Sequence, residues 1–267
     1  PILLRLLVAS IVGTLTTSIL AGIEKNALPT GAQVASGSAT ITTTGSNMLI
    51  QQNTQKLITN WTDFNIGANA RVTFDQPSSS AIALNRIAAQ NPTQILGQLN
   101  ANGQVMLINA SGIVFSQGSQ INVGSITAST LDISDDNFLN GNFRFTGSTG
   151  EILNQGSITT AQGGRVAFIA QKVKNQGDIT TLDGTAALIS ASDVTLDLSG
   201  DGTIGIDITQ GAVDALVENN QLIKADNGAV LLSARAFDEL TRAAVNNTGV
   251  IEATSITKKG GRIILEG

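Results

Sequence analysis

The sequence predicts an all-β fold, a parallel β-helix, from two repeated patterns and their spacing. A cassette of a glycine followed by small and apolar residues recurs at Gly103–Asn109, Gly164–Ala170, Gly184–Ser190, Gly228–Ala234 and Gly261–Gly267. A second pattern, Asn-Gln-Gly followed by a polar residue and Ile, begins at Asn154 and Asn175, with a looser copy at Asn247. Most spacings lie near multiples of about 20 to 22 residues, a period that is typical of a solenoid.

The composition of each repeat distinguishes between types of solenoid. Leucine-rich repeats would show Leu at fixed positions and a helix in each repeat, whereas these repeats are Gly and Asn turns between short apolar strands. No proline follows Pro92, so the later backbone N–H groups are all available to strand ladders. We therefore expect coils of about three short strands each.

The first 27 residues have the pattern of a signal peptide. Arg5 precedes an apolar run from Leu6 to Leu20, and the small residues Ala21 and Gly22 follow it. The run is shorter than the roughly 20 residues of a membrane span, which disfavours the alternatives of a membrane anchor or a buried helix. Cleavage is expected within residues 21–27.

Residues 28–100 are expected to form an N-terminal β cap and the first coils. Residues 33–50 alternate small polar and apolar side chains, which predicts one or two strands. Trp61, Phe64 and Ile66 are expected to form the core of this cap, because the open end of a stack of coils needs an apolar plug.

Residues 101–267 are expected to form the repeating coils, with insertions near residues 132–149 and 206–224. The first insertion is rich in Asp, Asn and Gly, and it also carries Phe138, Phe143 and Phe145. These aromatic residues predict a strand or hairpin packed on the side of the stack, outside the coils.

Four stretches favour helical structure, and the last along the chain is Ala234–Ala244. Ala81–Ala89 is rich in helix formers, and Ile95–Leu99 has the length of a short helical turn. Within the second insertion the apolar residues have helical spacing; they are Val213, Leu216 and Val217.

The composition excludes several kinds of site. The chain has no Cys and no His, so thiol nucleophiles, imidazole bases and the usual transition-metal ligands are absent. The net charge of −5, with Lys and Arg scattered along the chain, disfavours a nucleic-acid-binding surface. The sequence therefore predicts no cofactor and no metal site.

Paired carboxylates offer an alternative, a β-helix enzyme that acts on carbohydrate. Adjacent acids stand at Asp135–Asp136 and Asp238–Glu239, and glycosidases use two carboxylates. Neighbouring residues on a strand point to opposite faces, and acids in loops are usually solvated. We therefore assign no catalytic residue and predict that the chain is not an enzyme.

Five segments, in order, carry a resemblance to a known family. They are Leu28–Gly31, Trp61–Ile66, Ala83–Ile87, Gly97–Ile113 and Ile126–Ile133. They resemble the two-partner secretion (TPS) domain of filamentous haemagglutinin-like and high-molecular-weight adhesin-like exoproteins. The resemblance covers roughly residues 28–191, and residues 28–267 are expected to form one such domain.

One motif departs from the family pattern. The family's Asn-Pro-Asn-Gly-Ile appears here as the hallmark turn, Asn109, Ala110, Ser111, Gly112 and Ile113. Ala110 gives up the stiffness of proline, while Ser111 and Gly112 keep local hydrogen bonding and backbone freedom. The resemblance implies an outer-membrane transporter as partner, and we expect this turn and the edge strands of the cap to contact it, because an exposed strand can add to a partner's sheet. The alternative is that Asn109 and Gly112 only build a tight turn. Asn91-Pro92 is a weak echo of a second family motif.

The resemblance implies a route and a set of partners. Such domains pass through the general secretion machinery to the periplasm, where the POTRA-type domains of an outer-membrane β-barrel transporter recognise them. They cross unfolded and fold outside into a right-handed β-helix that nucleates the rest of a secreted or cell-surface exoprotein. A C-terminal part beyond Gly267 would contact a host or neighbouring cell. A stand-alone surface-binding module remains an alternative.

Overall fold

The structure, a computed structural model, describes residues 22–147, 150–198, 203–237, 243–253 and 262–266. The signal-peptide prediction rests mainly on residues 1–21, which lie outside these ranges, as do Asp238–Glu239 and the cassette ends Gly261 and Gly267. In the described ranges no helix has both the length and the apolar character that a membrane crossing requires.

The regular secondary structure of the described residues consists of short strands and one short helix. The first are β1 (Gln33–Ser36), β2 (Ala39–Thr44), β3 (Asn47–Gln52), β4 (Lys56–Trp61), β5 (Arg71–Asp75), β6 (Ile82–Ile87), β7 (Thr93–Ile95), β8 (Gln98–Ala101) and β9 (Gln104–Ile108). Next come β10 (Ile113–Phe115), β11 (Gln120–Val123), β12 (Ser125–Ser129), the helix α1 (Asp135–Asn140), β13 (Phe143–Thr146), β14 (Glu151–Asn154), β15 (Ser157–Gln162), β16 (Arg165–Ala170) and β17 (Lys172–Asn175). The last are β18 (Asp178–Leu182), β19 (Thr185–Ser190), β20 (Asp193–Asp197), β21 (Gly205–Gln210), β22 (Ala215–Asn219), β23 (Ile223–Asp226), β24 (Ala229–Ala234), β25 (Ala243–Asn247), β26 (Ile251–Glu252) and β27 (Arg262–Glu266).

Three long sheets run along the stack of coils. Sheet 1 has the order β1-β4-β6-β9-β12-β16-β19-β24-β27, sheet 2 the order β2-β3-β5-β8-β11-β15-β18-β23-β26, and sheet 3 the order β7-β10-β14-β17-β22-β25. Neighbours are parallel from β3 and β4 onward, with one shift of register between β15 and β18, whereas β1 and β2 join their sheets antiparallel and form the cap. The predicted fold class is confirmed: an all-β parallel β-helix with an N-terminal β cap and extra-helical elements.

A column of glycines explains why the cassettes at residues 164, 184 and 228 begin with this residue. A β-carbon on Gly184 would lie 1.8 Å from the carbonyl oxygen of Gly164, and one on Gly164 would lie 2.1 Å from that of Gly124. The same relation holds for Gly228 above Gly184, at 1.8 Å, and for Gly124 above Gly103, at 2.5 Å. The corners of successive coils thus approach too closely for any side chain.

A ladder of four asparagines, of which Asn154, Asn175 and Asn219 are buried and Asn247 is exposed, explains the second repeated pattern. The amide Nδ2 of Asn154 donates to Oδ1 of Asn175 at 2.7 Å, and Asn175 donates likewise to Asn219 at 2.8 Å. Asn219 then donates to Asn247 at 2.8 Å. The side chains lie at the ends of β14, β17, β22 and β25, and the pairing of identical amides fixes the register of the coils.

The outer face of sheet 1 is covered by extra-helical elements. Helix α1 is followed by β13, which pairs antiparallel with β20, and β20 pairs antiparallel with β21; we call β13-β20-β21 the side sheet. Phe138 of α1 and Phe145 of β13 are fully buried against the outer face of sheet 1. The stretch near residues 132–149 therefore begins with a helix, N-capped by Ser134 and ended by Gly141 at φ 76°, which the sequence analysis had not predicted.

The three helical predictions within residues 81–99 and 206–224 are wrong, and the fourth, Ala234–Ala244, has residues 238–242 outside the described ranges. Ala81–Ala89 contains β6, and Ile95–Leu99 spans the end of β7 and the start of β8. Both faces of β6 are buried, one in the coil interior and one beneath the extra-helical elements, so the alternation typical of a strand is lost. Residues 206–224 hold β21 of the side sheet, followed by β22 and the start of β23, which are ordinary coil strands.

Candidate recognition site

The predicted cap core is assembled around Trp61, at the end of β4. Its side chain is 2% exposed, and its ring meets the edge of Phe64 with centroids 5.1 Å apart and planes at 87°. Ile66 is fully buried in the same cluster and forms a bridge with Ile95 of the next coil. The structure thus brings all three predicted residues together.

Asn85 of β6 is a cap residue that the sequence analysis missed. Trp61 Nε1 donates to Asn85 Oδ1 at 2.9 Å, while Asn85 Nδ2 donates to the carbonyl oxygens of Ala83 and Met106 at 3.2 and 3.1 Å. The side chain is fully buried and all its polar atoms are satisfied. The available signal was an uncharged polar residue, next to Arg86, in an otherwise apolar stretch.

The segment that precedes the strands is tied to the cap by backbone hydrogen bonds. Thr30 N donates to the carbonyl of Asp63 at 2.9 Å, and Thr62 N donates to that of Thr30 at 3.0 Å. Further upstream, Gly67 N donates to the carbonyl of Ala27 at 2.9 Å and Asn69 N to that of Lys25 at 2.8 Å. The bonds of Thr30 therefore hold the segments Leu28–Gly31 and Trp61–Ile66 side by side in the fold.

The hallmark turn lies between β9 and β10, and its asparagine is buried. Asn109 is 1% exposed; its Nδ2 donates to the carbonyl of Asn91 at 3.1 Å and to Thr93 Oγ1 at 3.0 Å. Its Oδ1 accepts from Ser111 N at 2.9 Å, and its carbonyl accepts from Gly112 N at 3.0 Å. This Asx turn therefore tightens without the proline of the family pattern.

The residues around Asn91-Pro92 form a second turn against the first. Ser111 Oγ donates to the carbonyl of Ala89 at 3.0 Å, and Thr93 N donates to the carbonyl of Gly112 at 3.0 Å. Gly112 has φ 117°, and a β-carbon there would lie 3.5 Å from the ring of Pro92. The turns stack as one unit, and Pro92 supplies a rigid ring beside the turn that lacks one.

The exposure of the hallmark residues differs. Ala110 is exposed and Ser111 is half-buried, whereas Asn109, Gly112 and Ile113 are buried. Ile113 begins β10 and pairs with Thr93 on one side and Ile152 on the other. Asn109 therefore shapes the turn from the inside, and a partner of the folded domain would meet Ala110 and the neighbouring turn.

Arg86 of β6 fastens the extra-helical elements to the coil. Its Nε lies 2.8 Å from Asp132 Oδ1, its Nη1 lies 2.5 Å from Asp135 Oδ1, and its Nη2 donates to the carbonyl of Ile133. Burial lowers the pKa of Arg86, but the hydrogen bonds and charges of the two aspartates outweigh this and raise it. The opposite end of α1 is held by Lys56, whose Nζ donates to the carbonyl of Leu139 at 2.6 Å.

A second ion pair joins two strands of the side sheet. Arg144 of β13 contacts Asp193 of β20 through two hydrogen bonds, Nη2 to Oδ2 at 2.5 Å and Nε to Oδ1 at 3.0 Å. The bond to Arg144 lowers the pKa of the Asp193 carboxyl, and the same pairing raises the pKa of Arg144.

The described residues contain no group of three or more His, Cys, Asp or Glu that could hold a metal ion. Of the adjacent acids considered as a catalytic pair, Asp135 is engaged by Arg86, and Asp238–Glu239 lie outside the described ranges. The polar groups of this region serve the fold: they satisfy the cap and its turns, and they bind the extra-helical elements.

Comparison with family models places this geometry in context. The model described as "TPS secretion domain" matches residues 25–267. Two curated relatives are named heme/hemopexin-binding protein; one from Haemophilus influenzae strain KW20 Rd is 34% identical over 248 residues, and one from Haemophilus influenzae is 31% identical over 246 residues. The alignments cover 89% and 84% of this chain but only 27% and 26% of the relatives, so the chain spans about a quarter of their length.

Two solved structures are similar. The secretion domain of HMW1 from Haemophilus influenzae superposes with a TM-score of 0.79 at 33% identity, over 89% of this chain and 62% of that chain. The filamentous hemagglutinin secretion domain superposes with a TM-score of 0.50 at 14% identity, over 89% of this chain and all of the other, and this likeness concerns the fold alone.

Proposed function

The chain belongs to the family of TPS secretion domains, and from this premise we propose that it targets a longer exoprotein to a dedicated outer-membrane transporter. The observation that carries the proposal is the family match over residues 25–267, joined to a fold that is closed at its N-terminal end. The secreted protein would reach the medium or the cell surface.

Folding outside the cell would follow from the architecture. Each coil buries its apolar side chains only when a neighbouring coil stacks on it. The cap around Trp61 closes the first coil, so growth of the stack can proceed in one direction, toward the C-terminus. Burial of each new coil outside would bias the movement of the unfolded chain outward without a nucleotide-driven motor.

The route to the transporter begins with the leader. We propose that residues 1–27 contain a signal peptide read by the general secretion machinery, and that POTRA-type domains receive the chain in the periplasm. Cleavage after Ala21 or Gly22 fits the fold better than cleavage after Ala27. The later site would remove Lys25 and Ala27, whose carbonyls accept hydrogen bonds from Asn69 and Gly67.

The hallmark turn would act in this process by positioning. Asn109 is enclosed and its side-chain hydrogen bonds are made within the chain, so it holds the turns at residues 89–93 and 109–112 together. Within these two turns the exposed residues are Gln90, Asn91, Pro92 and Ala110, and a transporter that contacts the turns would meet these residues. Substitution of Asn109 would impair secretion by loosening both turns.

Two other functions receive less support. An enzyme that hydrolyses carbohydrate would need two carboxylates that face the same substrate. Asp135, one of the candidate acids, instead forms an ion pair with Arg86. The curated relatives bear a haem-related name, but this chain has no His, Cys or Tyr, and Met48 and Met106 are 6% and 1% exposed. We propose that any ligation of haem iron by a longer protein is carried by residues outside this segment.

A secretion assay tests the proposal. The domain, behind a cleavable leader, is expressed with and without the transporter encoded beside its gene, and the medium is assayed. Release only with the transporter is the expected result; retention in the periplasm in both cases contradicts the proposal.

Variants at the hallmark turn extend the assay. Asn109→Ala removes three hydrogen bonds and should lower both release and the free energy of unfolding, whereas Ala110→Ser should preserve folding. If Asn109→Ala is released as well as the wild type, the turn has no part in secretion.

A further inference from the structure

Strand β2 presents an edge that the rest of the described chain does not cover. It lies at the end of sheet 2 and pairs over its full length, from Ala39 opposite Gln52 to Thr44 opposite Asn47, with β3 alone. Ala39 and Ile41 pack partly against the core, while the four threonines are exposed. One side of this six-residue backbone is therefore directed away from the fold.

The register identifies the free backbone groups. Asn53 N donates to the carbonyl of Ser38 at 2.8 Å, so Ser38 faces β3. Because hydrogen-bonded and non-hydrogen-bonded positions alternate along an antiparallel pair, Thr40, Thr42 and Thr44 also face β3. The N–H and C=O groups of Ala39, Ile41 and Thr43 point outward, ready to bond another strand.

β2 lacks the devices that usually protect such an edge. Proteins blunt exposed edges with charged side chains, prolines or bulges. Residues 39–44 contain no charge and no proline, and their pairing with β3 has no irregularity. The other edge strand of the cap, β1, is shorter and has a break in register between Val34 and Ser36. Of the two edge strands of the cap, β2 is therefore the one whose backbone is better suited to pair with a further strand.

The edge exists early in folding. β2 and β3 are joined by the two residues Gly45 and Ser46, and Gly45 has φ 58°, as tight hairpin turns require. A hairpin with so short a loop forms locally, before distant coils can stack. The edge is thus available to a partner that meets the chain before the coils are complete.

We propose that the outer edge of β2 is the docking strand for the transporter's soluble periplasmic domains, which add one of their own strands to sheet 2. This inference rests on the proposed function. The pairing would use the outward backbone groups of Ala39, Ile41 and Thr43, and the added strand would be uncharged, with one apolar face that continues the row of Ala39 and Ile41. Main-chain bonds supply the affinity, which explains how a segment of small uncharged residues can be a docking site.

A proline at the outward position tests this directly. Thr43→Pro removes an N–H that points away from β3 and leaves the bonds to β3 in place, whereas Thr43→Val changes the same side chain and keeps the N–H. Binding of the purified domains to the soluble periplasmic domains of the transporter encoded beside the gene is measured by titration calorimetry. Secretion with that transporter and the midpoint of urea unfolding are measured in parallel.

We expect Thr43→Pro to weaken binding by about tenfold or more and to lower release, with Thr43→Val close to wild type. If Thr43→Pro also lowers the unfolding midpoint, the doubly charged variant Thr40→Lys with Thr42→Lys, at exposed side chains, makes the same test without a backbone change. If this doubly charged variant binds the transporter domains as well as the wild type does, the proposal that β2 is the docking strand is refuted.

The remaining outcomes separate this inference from the proposed function. Wild-type binding by Thr43→Pro, with normal release, refutes docking at β2 and leaves the secretion function intact. Failure of the wild-type domain itself to be released refutes the proposed function. A wild-type dimer in solution that Thr43→Pro abolishes, with transporter binding unchanged, assigns the edge to a second copy and also overturns the inference.

Discussion

The indole Nε1 of Trp61 and the amide Oδ1 of Asn85 lie 2.9 Å apart, and this bond joins neighbouring strands of sheet 1 inside the cap. Each group satisfies the other where water is excluded, since both side chains are 2% exposed or less. The hydrogen bond fixes the orientation of the Trp61 ring within the apolar core of the cap.

Replacing Asn85 should destabilise the cap. Asn85→Ala removes the acceptor of the indole N–H and one donor to each of the carbonyls of Ala83 and Met106, which should lower the free energy of unfolding by about 1–3 kcal/mol. Trp61 is the sole tryptophan and reports unfolding by fluorescence in urea. The control is Asn122→Ala at an exposed asparagine, for which we expect a change within about 0.5 kcal/mol; equal effects would show that the buried bond contributes nothing special.

The glycine column should tolerate no side chain. Gly184→Ala would place a β-carbon 1.8 Å from the carbonyl oxygen of Gly164, which forces the coils apart and should cost about 3 kcal/mol or more. Gly163→Ala is the matched control, because no atom lies within 4 Å and only the positive φ of 74° is unfavourable, at about 1–2 kcal/mol. Urea unfolding of both variants compares close approach with backbone strain; a smaller effect at Gly184 would contradict this account.

The asparagine ladder predicts a strong contrast between neighbouring residues. Asn175→Ala breaks bonds to Asn154 and Asn219 in the dry interior and should cost about 2–4 kcal/mol. Gln176→Ala, one residue along the chain, removes an exposed bond from Gln155 and should cost less than about 0.5 kcal/mol. Thermal unfolding of the pair measures the contrast, and similar melting temperatures would argue against the ladder as a source of stability.

The side sheet should weaken in acid. Arg144 holds the folded-state pKa of Asp193 below its ordinary value of 3.8, so this carboxylate stabilises the fold above that value. The contribution is lost as the pH falls toward the folded-state pKa. Asp193→Asn should therefore be less stable than wild type at pH 7, and the difference in stability should shrink as the pH falls below the ordinary carboxyl pKa of 3.8. Asp207→Asn removes an exposed carboxylate from the same sheet as the control for net charge, and a gap constant with pH would contradict the assignment.

The coils were predictable from the sequence because the residues that shape each coil recur at a fixed spacing along the chain. Gly184 and Asn175 recur at the coil period, since each must meet the equivalent residue of the next coil. The cap residue Trp61 was predictable because an open end needs a large apolar side chain. The family resemblance identified the hallmark turn but left its geometry open.

The errors arose where contacts come from distant parts of the chain. The β6 strand appeared helical because α1 and the side sheet bury its outer face, and no local pattern records that cover. Asn85 could not be recognised as the partner of Trp61 without the register of β4 and β6. Helix α1 was missed although Ser134 and Gly141 provide both capping signals, because three phenylalanines suggested a hairpin.

The side sheet also has a mechanical consequence. In a stack of parallel coils, tension on the C-terminal end loads one strand at a time, so coils would peel away at low force. Arg144 and Asp193 lie 49 residues apart along the chain, yet they join β13 to β20. Peeling that reaches β20 must therefore rupture this antiparallel pairing in addition to the bonds between the coils. Under tension the C-terminal coils would therefore unfold first. The side sheet would then resist further unfolding, and the N-terminal half with its cap would stay folded.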